Sequence, residues 1–273
     1  MNINHINNYI DHIRTNVVPN MDERSALELA LQCLDFTSLN ATDTEKSIID
    51  LCKKAKVLHP QPATVCVYSL FCKTAKKELK NTSVKIACVA GGFPSGQLPI
   101  RLKIQEVNYA ISEGADEIDM VISRGKFLEG NYSEVYDEIA AIKSECGTVL
   151  LKVILETGEL LTFENIVKAS ELAMTAGADF IKTSTGKSTI NATPESFTTM
   201  LLAIKNHYNN TGKQIGIKPA GGIKDVKDIL LYISILHQTL GANWMNKDFF
   251  RIGASSVTDS IVQRLHILKH CLN

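Results

Sequence analysis

From residue 31 onward the chain alternates short apolar runs with amphipathic helical stretches of similar length, the rhythm of parallel β/α units. Strand candidates fall at residues 31–35, 64–67, 84–90, 117–122, 149–155, 180–183, 215–218 and 250–253. Helix signals lie between them. Thr42-Asp43-Thr44-Glu45 has the spacing of a capping box, Pro99 and Pro194 open helices, and Gly114 and Gly177 close them. Eight strands, each followed by a helix, predict an α/β fold of the (β/α)8 TIM-barrel type. An open doubly wound sheet shares the alternation, commonly with a Gly-rich first turn, whereas the turn after Asp35 here is Phe36-Thr37-Ser38-Leu39. The barrel is preferred.

An internal echo supports the count: Gly114-Ala115-Asp116-Glu117-Ile118-Asp119 resembles Gly177-Ala178-Asp179-Phe180-Ile181-Lys182, an offset of two β/α units. It implies equal heights for Asp119 and Lys182 on strands four and six. No Pro- or Ser-rich linker interrupts the series, so one domain over residues 1–273 suffices. Residues 1–28 read as an N-terminal helical extension placed to plug the bottom of the barrel.

The 273 residues, 45% of them hydrophobic, can bury a full core, and 29 charges of each sign cancel. A neutral chain has no general attraction for nucleic acid or anionic membrane, so neither partner is expected and an anionic ligand needs a local site. Seven cysteines without a C-x-x-C pair read as reduced, mostly buried thiols of a cytoplasmic protein. Residues 1–20 hold no apolar leader core, and no stretch has the length of a membrane span. Barrel helices offer faces for a homodimer, and no helical pattern selects one.

Active sites of such barrels sit at the carboxyl ends of the strands, where polar residues point inward. Those ends supply Asp35, Cys66, Asp119, Lys152, Lys182 and Lys218, a high density of ionisable groups in apolar segments. Lys182 follows Phe180-Ile181 and precedes a hydroxyl-rich turn. Taken alone it reads as an edge lysine whose amine snorkels to water. Its convergence with Lys218, expected on the adjacent strand, favours a different role. A buried amine beside a second cation loses its proton more readily and becomes a nucleophile for a carbonyl carbon. Asp119 can accept and return a proton through a bound water. Lys152 fits an internal salt bridge as well as a substrate contact.

A second constellation points to an anion. Thr185-Gly186-Lys187, Gly221-Gly222-Ile223-Lys224 and Gly253-Ala254-Ser255-Ser256 follow strands six, seven and eight, and glycines let amides approach a phosphate closely. Amides near Gly222, Gly253, Ser255 and Ser256 are expected to hold it. Gly186-Lys187-Ser188 is no P-loop, because the required first glycine would fall at Ile181. The seven histidines lie in helices or linkers, so no metal is implied, nor any other cofactor.

These segments resemble deoxyribose-phosphate aldolase, a class I, Schiff-base family. The likeness runs from about residue 31 to 256 and includes Asp35-Phe36-Thr37-Ser38-Leu39, Thr64-Val65-Cys66-Val67-Tyr68 and residues 114–120, 152–160, 180–187, 217–223 and 253–256. It implies that Lys182 forms the Schiff base, that Lys218 is the second catalytic lysine and that Asp119 relays the proton. Asp35, Thr37, Cys66, Lys152, Thr185, Gly186, Lys187, Gly221, Gly222, Lys224, Gly253, Ser255 and Ser256 are the expected substrate contacts. The implied reaction is reversible cleavage of 2-deoxy-D-ribose 5-phosphate to D-glyceraldehyde 3-phosphate and acetaldehyde, a step in deoxynucleoside catabolism.

Two positions depart from the family pattern. Lys224 stands where many members carry arginine, a point charge in place of a bidentate fork. The sequence ends Leu268-Lys269-His270-Cys271-Leu272-Asn273, without the terminal tyrosine that some bacterial members fold over the site. The rival readings are a Schiff-base aldolase for another sugar phosphate, differing in contacts from Asp35, Thr37 and Cys66, and a barrel that only binds a phosphorylated ligand. A mere binder has no need of the pair Lys182 and Lys218.

Overall fold

The computed structural model describes residues 3–15, 21–254 and 257–270. Two helices, α1 (Ile3–Thr15) and α2 (Glu23–Gln32), precede the barrel. Its first half runs β1 (Leu34–Thr37), α3 (Glu45–Val57), β2 (Thr64–Tyr68), α4 (Cys72–Glu78), β3 (Lys85–Ala90), α5 (Ile100–Ser112), β4 (Glu117–Val121), α6 (Arg124–Leu128) and α7 (Tyr132–Cys146). The second half runs β5 (Leu150–Ile154), α8 (Phe163–Thr175), β6 (Phe180–Lys182), α9 (Pro194–Thr211), β7 (Gly216–Lys218), α10 (Val226–Leu240), β8 (Ile252–Ala254) and α11 (Val257–His270). The strands pair in the order β7-β6-β5-β4-β3-β2-β1-β8, all parallel. Bridges Ile217–Phe250 and Ala220–Gly253 join the two edges, which closes the TIM barrel.

Alternation along each strand sorts its side chains. Ile86, Cys88, Ile118, Met120, Leu151, Val153, Ile181 and Ile217 belong to the large core shared with the helices. Burying each such Val, Ile or Leu contributes roughly 1.5–3 kcal/mol. The residues between them face the barrel axis. There Cys66, Ala87 and Val89 form a small apolar cluster with Leu39, Tyr68 and Phe93, and the charged residues of β4 to β7 converge beside it. A one-residue slip would drive the lysines into the helix layer, so this register is strongly enforced.

Asp119 is in register with Lys152, Lys152 with Phe180, and Lys182 with Lys218. By register alone Lys182 therefore stands two residues above the level of Asp119. Strand tilt in such a barrel shifts that level by about one residue per strand. Asp119 and Lys182, two strands apart, return to one height, as their sequence echo implies. Below them Phe180 fills the floor. A Cβ on Gly216 would lie 2.4 Å from the Phe180 ring, so glycine is needed at the start of β7.

Several local expectations shift. Residues 31 and 32 complete α2 instead of opening β1, because Asp22 caps that helix through the Ser25 amide (2.9 Å) and Leu27, Ala30 and Leu31 extend its buried stripe. The capping box of α3 is formed by Thr44 and Ser47, not by Thr42 and Glu45. The last strand begins at Ile252, with Phe250 bridged singly to Ile217. The N-terminal extension braces the outer ring: α1 packs on α9 and α10, with Tyr9 Oη 3.1 Å from Thr239 Oγ1, and α2 packs on α10 and α11. The described cysteines are free and buried, and no helix among the described residues is long and apolar enough to cross a membrane.

Candidate active site

Asp35, Glu117, Asp119, Lys152, Lys182, Lys218 and Arg251 occupy the barrel interior, each at most 2% exposed. Asp119 is the hub. Its Oδ2 accepts from Lys182 Nζ (2.8 Å) and Lys218 Nζ (2.7 Å), and its Oδ1 accepts from Lys152 Nζ (2.6 Å). Lys218 Nζ also lies 2.5 Å from Asp35 Oδ2, an ion pair without hydrogen-bond alignment. Lys152 Nζ is 2.7 Å from Glu117. Arg251 donates to both Glu117 oxygens (2.9 and 2.8 Å) and to Asp35 Oδ1 (2.8 Å), with its guanidinium 5.5 Å from the Phe180 ring.

Four basic groups thus face three carboxylates in one buried volume, and the excess falls on the least compensated of them. Lys182 meets a single carboxylate oxygen that it shares with Lys218. Burial lowers its pKa below the usual lysine value, and the nearby Lys218 cation adds to that against the pull of Asp119. Lys218 is also buried, but Asp119 and Asp35 outweigh that and hold it protonated. Lys152 is raised in the same way by Asp119, Glu117 and Asp35. Asp119, although buried, is kept well below the ordinary carboxylate range by the three lysines. The site therefore pairs a deprotonation-prone amine with a fixed cation and a carboxylate that is ionised at rest.

Above Lys182 opens a cleft of about 220 Å³. Thr37, Ser38, Leu39, Asn40, Thr185, Gly186, Lys187, Ala220, Gly221, Gly222, Ile223, Gly253 and Ala254 line it together with Lys182. Thr183 Oγ1 accepts the Ala220 amide (3.0 Å) and Ser184 Oγ donates to the Ala220 carbonyl (2.5 Å), which locks the loops after β6 and β7 together. Gly186, Gly221 and Gly222 have φ of 80°, 73° and 76°, so these turns favour glycine. The Gly253 amide is already given to Pro219 O (2.9 Å) and the Gly221 amide to Gly253 O (3.3 Å). The Gly253 amide is thus committed within the barrel, and Gly253 shapes the wall: a Cβ added there would meet Ala220 Cβ at 2.8 Å and Lys218 Cε at 3.0 Å.

The structure thus gathers Thr37, Thr185, Gly186, Lys187, Gly221, Gly222 and Gly253 around Lys182. Asp35, Cys66 and Lys152 lie beneath, fully buried, the first and last within the ion network. Lys224 is exposed and outside the cleft lining; its amide donates to Asp228 (2.8 Å). Ser255 and Ser256 lie outside the described residues. Sequence reasoning missed Glu117 and Arg251 as site members, although each is a charge set among buried apolar residues. No His, Cys, Asp and Glu grouping suited to a metal occurs among the described residues.

The DeoC/LacD family aldolase model matches residues 29–256. A deoxyribose-phosphate aldolase from Homo sapiens is 42% identical over 253 residues, covering 87% of this chain and 80% of that one. The Mus musculus deoxyribose-phosphate aldolase is 41% identical over 255 residues, with the same coverage of both chains. The solved structure of the tetrameric deoxyribose phosphate aldolase from Aeropyrum pernix superposes with a TM-score of 0.71 at 25% identity, covering 89% of this chain and 93% of that one.

Proposed function

The chain belongs to the DeoC/LacD aldolase family, and we propose that it cleaves 2-deoxy-D-ribose 5-phosphate reversibly to D-glyceraldehyde 3-phosphate and acetaldehyde through an imine on Lys182. The observation that carries this reading is the buried Lys182 amine at the cleft, hydrogen-bonded to an Asp119 oxygen that Lys218 shares. The neutral amine adds to the C1 aldehyde of the open sugar, and loss of water gives the iminium. That cation draws the electrons of the C2–C3 bond as the C3 hydroxyl loses its proton, which frees glyceraldehyde 3-phosphate and leaves an enamine. Protonation of the enamine carbon and addition of water release acetaldehyde and restore Lys182. Asp119, in contact with both lysines, takes and returns protons, while Lys218 stays charged and keeps the Lys182 amine neutral in part.

The phosphate end is held by the Gly186 amide and the Lys187 ammonium, by the Gly222 turn and by Ser255 and Ser256, with Lys224 supplying charge at longer range. Anchoring that end orients the carbonyl toward Lys182 and makes the encounter effectively unimolecular. Incubation with 2-deoxyribose 5-phosphate should release acetaldehyde and triose phosphate in equal amounts. Folded protein that releases neither would redirect the reading to another sugar phosphate.

Lys218→Leu tests the electrostatic half of the proposal. Without that cation the Lys182 pKa rises, so the rate of borohydride-trappable imine formation climbs only at higher pH. At neutral pH it slows by about tenfold for each unit of that rise. A pH profile unmoved by the substitution would remove Lys218 as the cause of the lowered amine.

A further inference from the structure

Glu156, on the turn between β5 and α8, holds φ 58° and ψ 60°, the left-handed region seldom adopted by a residue with a side chain. Such a conformation persists only where its surroundings fix it. Here the surroundings are loops of the active-site face. The fully buried Glu156 carboxylate accepts from Thr185 Oγ1 (2.5 Å), from the Thr185 amide (3.3 Å to each oxygen), from Ser188 Oγ (2.9 Å) and from Arg124 Nη1 (3.1 Å). Thr185 Oγ1 in turn accepts the Lys187 amide (3.0 Å). Arg124 Nη2 donates onward to the carbonyls of Pro94 (3.1 Å) and Ser95 (3.0 Å). One carboxylate therefore ties together the loops after β3, β4 and β6.

We propose that Glu156 is a positioning residue that holds the loop Thr185 to Lys187 in its phosphate-binding shape, with Arg124 as the tie to the neighbouring loops. The inference rests on the sugar-phosphate reading of the same cleft. Thr185, Gly186 and Lys187 line the cleft, and the Thr185 hydroxyl and amide are both committed to Glu156. Charge-assisted bonds are about twice as strong as neutral ones, so a carboxylate is the suitable anchor for a loop that must meet a dianion without collapsing onto it. Lys182 is held separately, within β6 and by Asp119.

Glu156→Gln keeps the volume but loses the ion pair with Arg124 and one acceptor for the Thr185 hydroxyl. The KM for 2-deoxyribose 5-phosphate and the inhibition constant of inorganic phosphate should each rise by at least about tenfold, with kcat less affected. Imine trapping with acetaldehyde, which carries no phosphate, should proceed as in the unsubstituted protein. Arg124→Met should move the same constants in the same direction by a smaller factor, and it decides the matter by the same criterion if Glu156→Gln does not fold. Unchanged KM and phosphate inhibition in the folded variant would overturn the proposal, as would a fall in imine trapping equal to the loss of phosphate affinity. Failure of the unsubstituted protein to trap acetaldehyde would instead overturn the aldolase reading and this inference with it.

Discussion

Lys182→Arg should lower cleavage by at least about 10,000-fold while the barrel stays folded. The guanidinium keeps the positive charge that meets Asp119 Oδ2, so the buried carboxylate is not left unpaired. What it cannot do is shed its proton, since arginine stays protonated at any working pH. Without a free amine there is no addition to the carbonyl and no imine. The larger side chain adds strain of about 1–3 kcal/mol to a packed interior, a cost that a domain of this size tolerates. Turnover and circular dichroism, measured side by side, check both halves. Near-normal turnover would end the role given to Lys182.

Asp119→Asn should separate imine formation from proton transfer. Its carboxylate raises the Lys182 pKa and is itself held ionised by Lys152, Lys182 and Lys218. Asparagine removes that pull, so the amine loses its proton at lower pH and acetaldehyde trapping persists or shifts to lower pH. Exchange of the acetaldehyde methyl protons with solvent needs a group that cycles a proton, and it should fall by about 100-fold to 10,000-fold. The variant also leaves four basic groups facing two carboxylates, a loss of pairing that costs about 3–5 kcal/mol, so the melting temperature should fall as well. Solvent exchange followed by NMR, beside trapping followed by mass, distinguishes the roles. Exchange that continues unchanged would move the proton relay to another group.

Strand number, strand order and the convergence of Lys182, Lys218 and Asp119 were legible in the sequence because a charge set in an apolar run is costly to bury unless it meets a partner there. Heights were legible too, since the repeat at Asp119 and Lys182 spans whole β/α units and strand tilt restores their level. The first strand was misplaced because Leu29-Ala30-Leu31 suits a buried helix face as well as a buried strand. Arg251 and Glu117 escaped notice for lack of register: only the closed barrel brings β4 and the chain entering β8 within 2.9 Å. Glu156 escaped for a different reason. A left-handed backbone at a glutamate has no local signal in Leu155-Glu156-Thr157, and its partners lie about thirty residues away along the chain. That the Gly253 amide is bonded to Pro219 O was likewise not legible, because it depends on the folded course of β8.

The most direct test of the role of Lys182 is to reduce the protein with borohydride in the presence of acetaldehyde, digest it and locate the modification by mass spectrometry. A single N-ethyl group on Lys182, absent when borohydride is omitted, is the expected result. An N-ethyl group on Lys218 or Lys152 instead, or no adduct on folded protein, would contradict the assignment of Lys182 as the imine-forming residue.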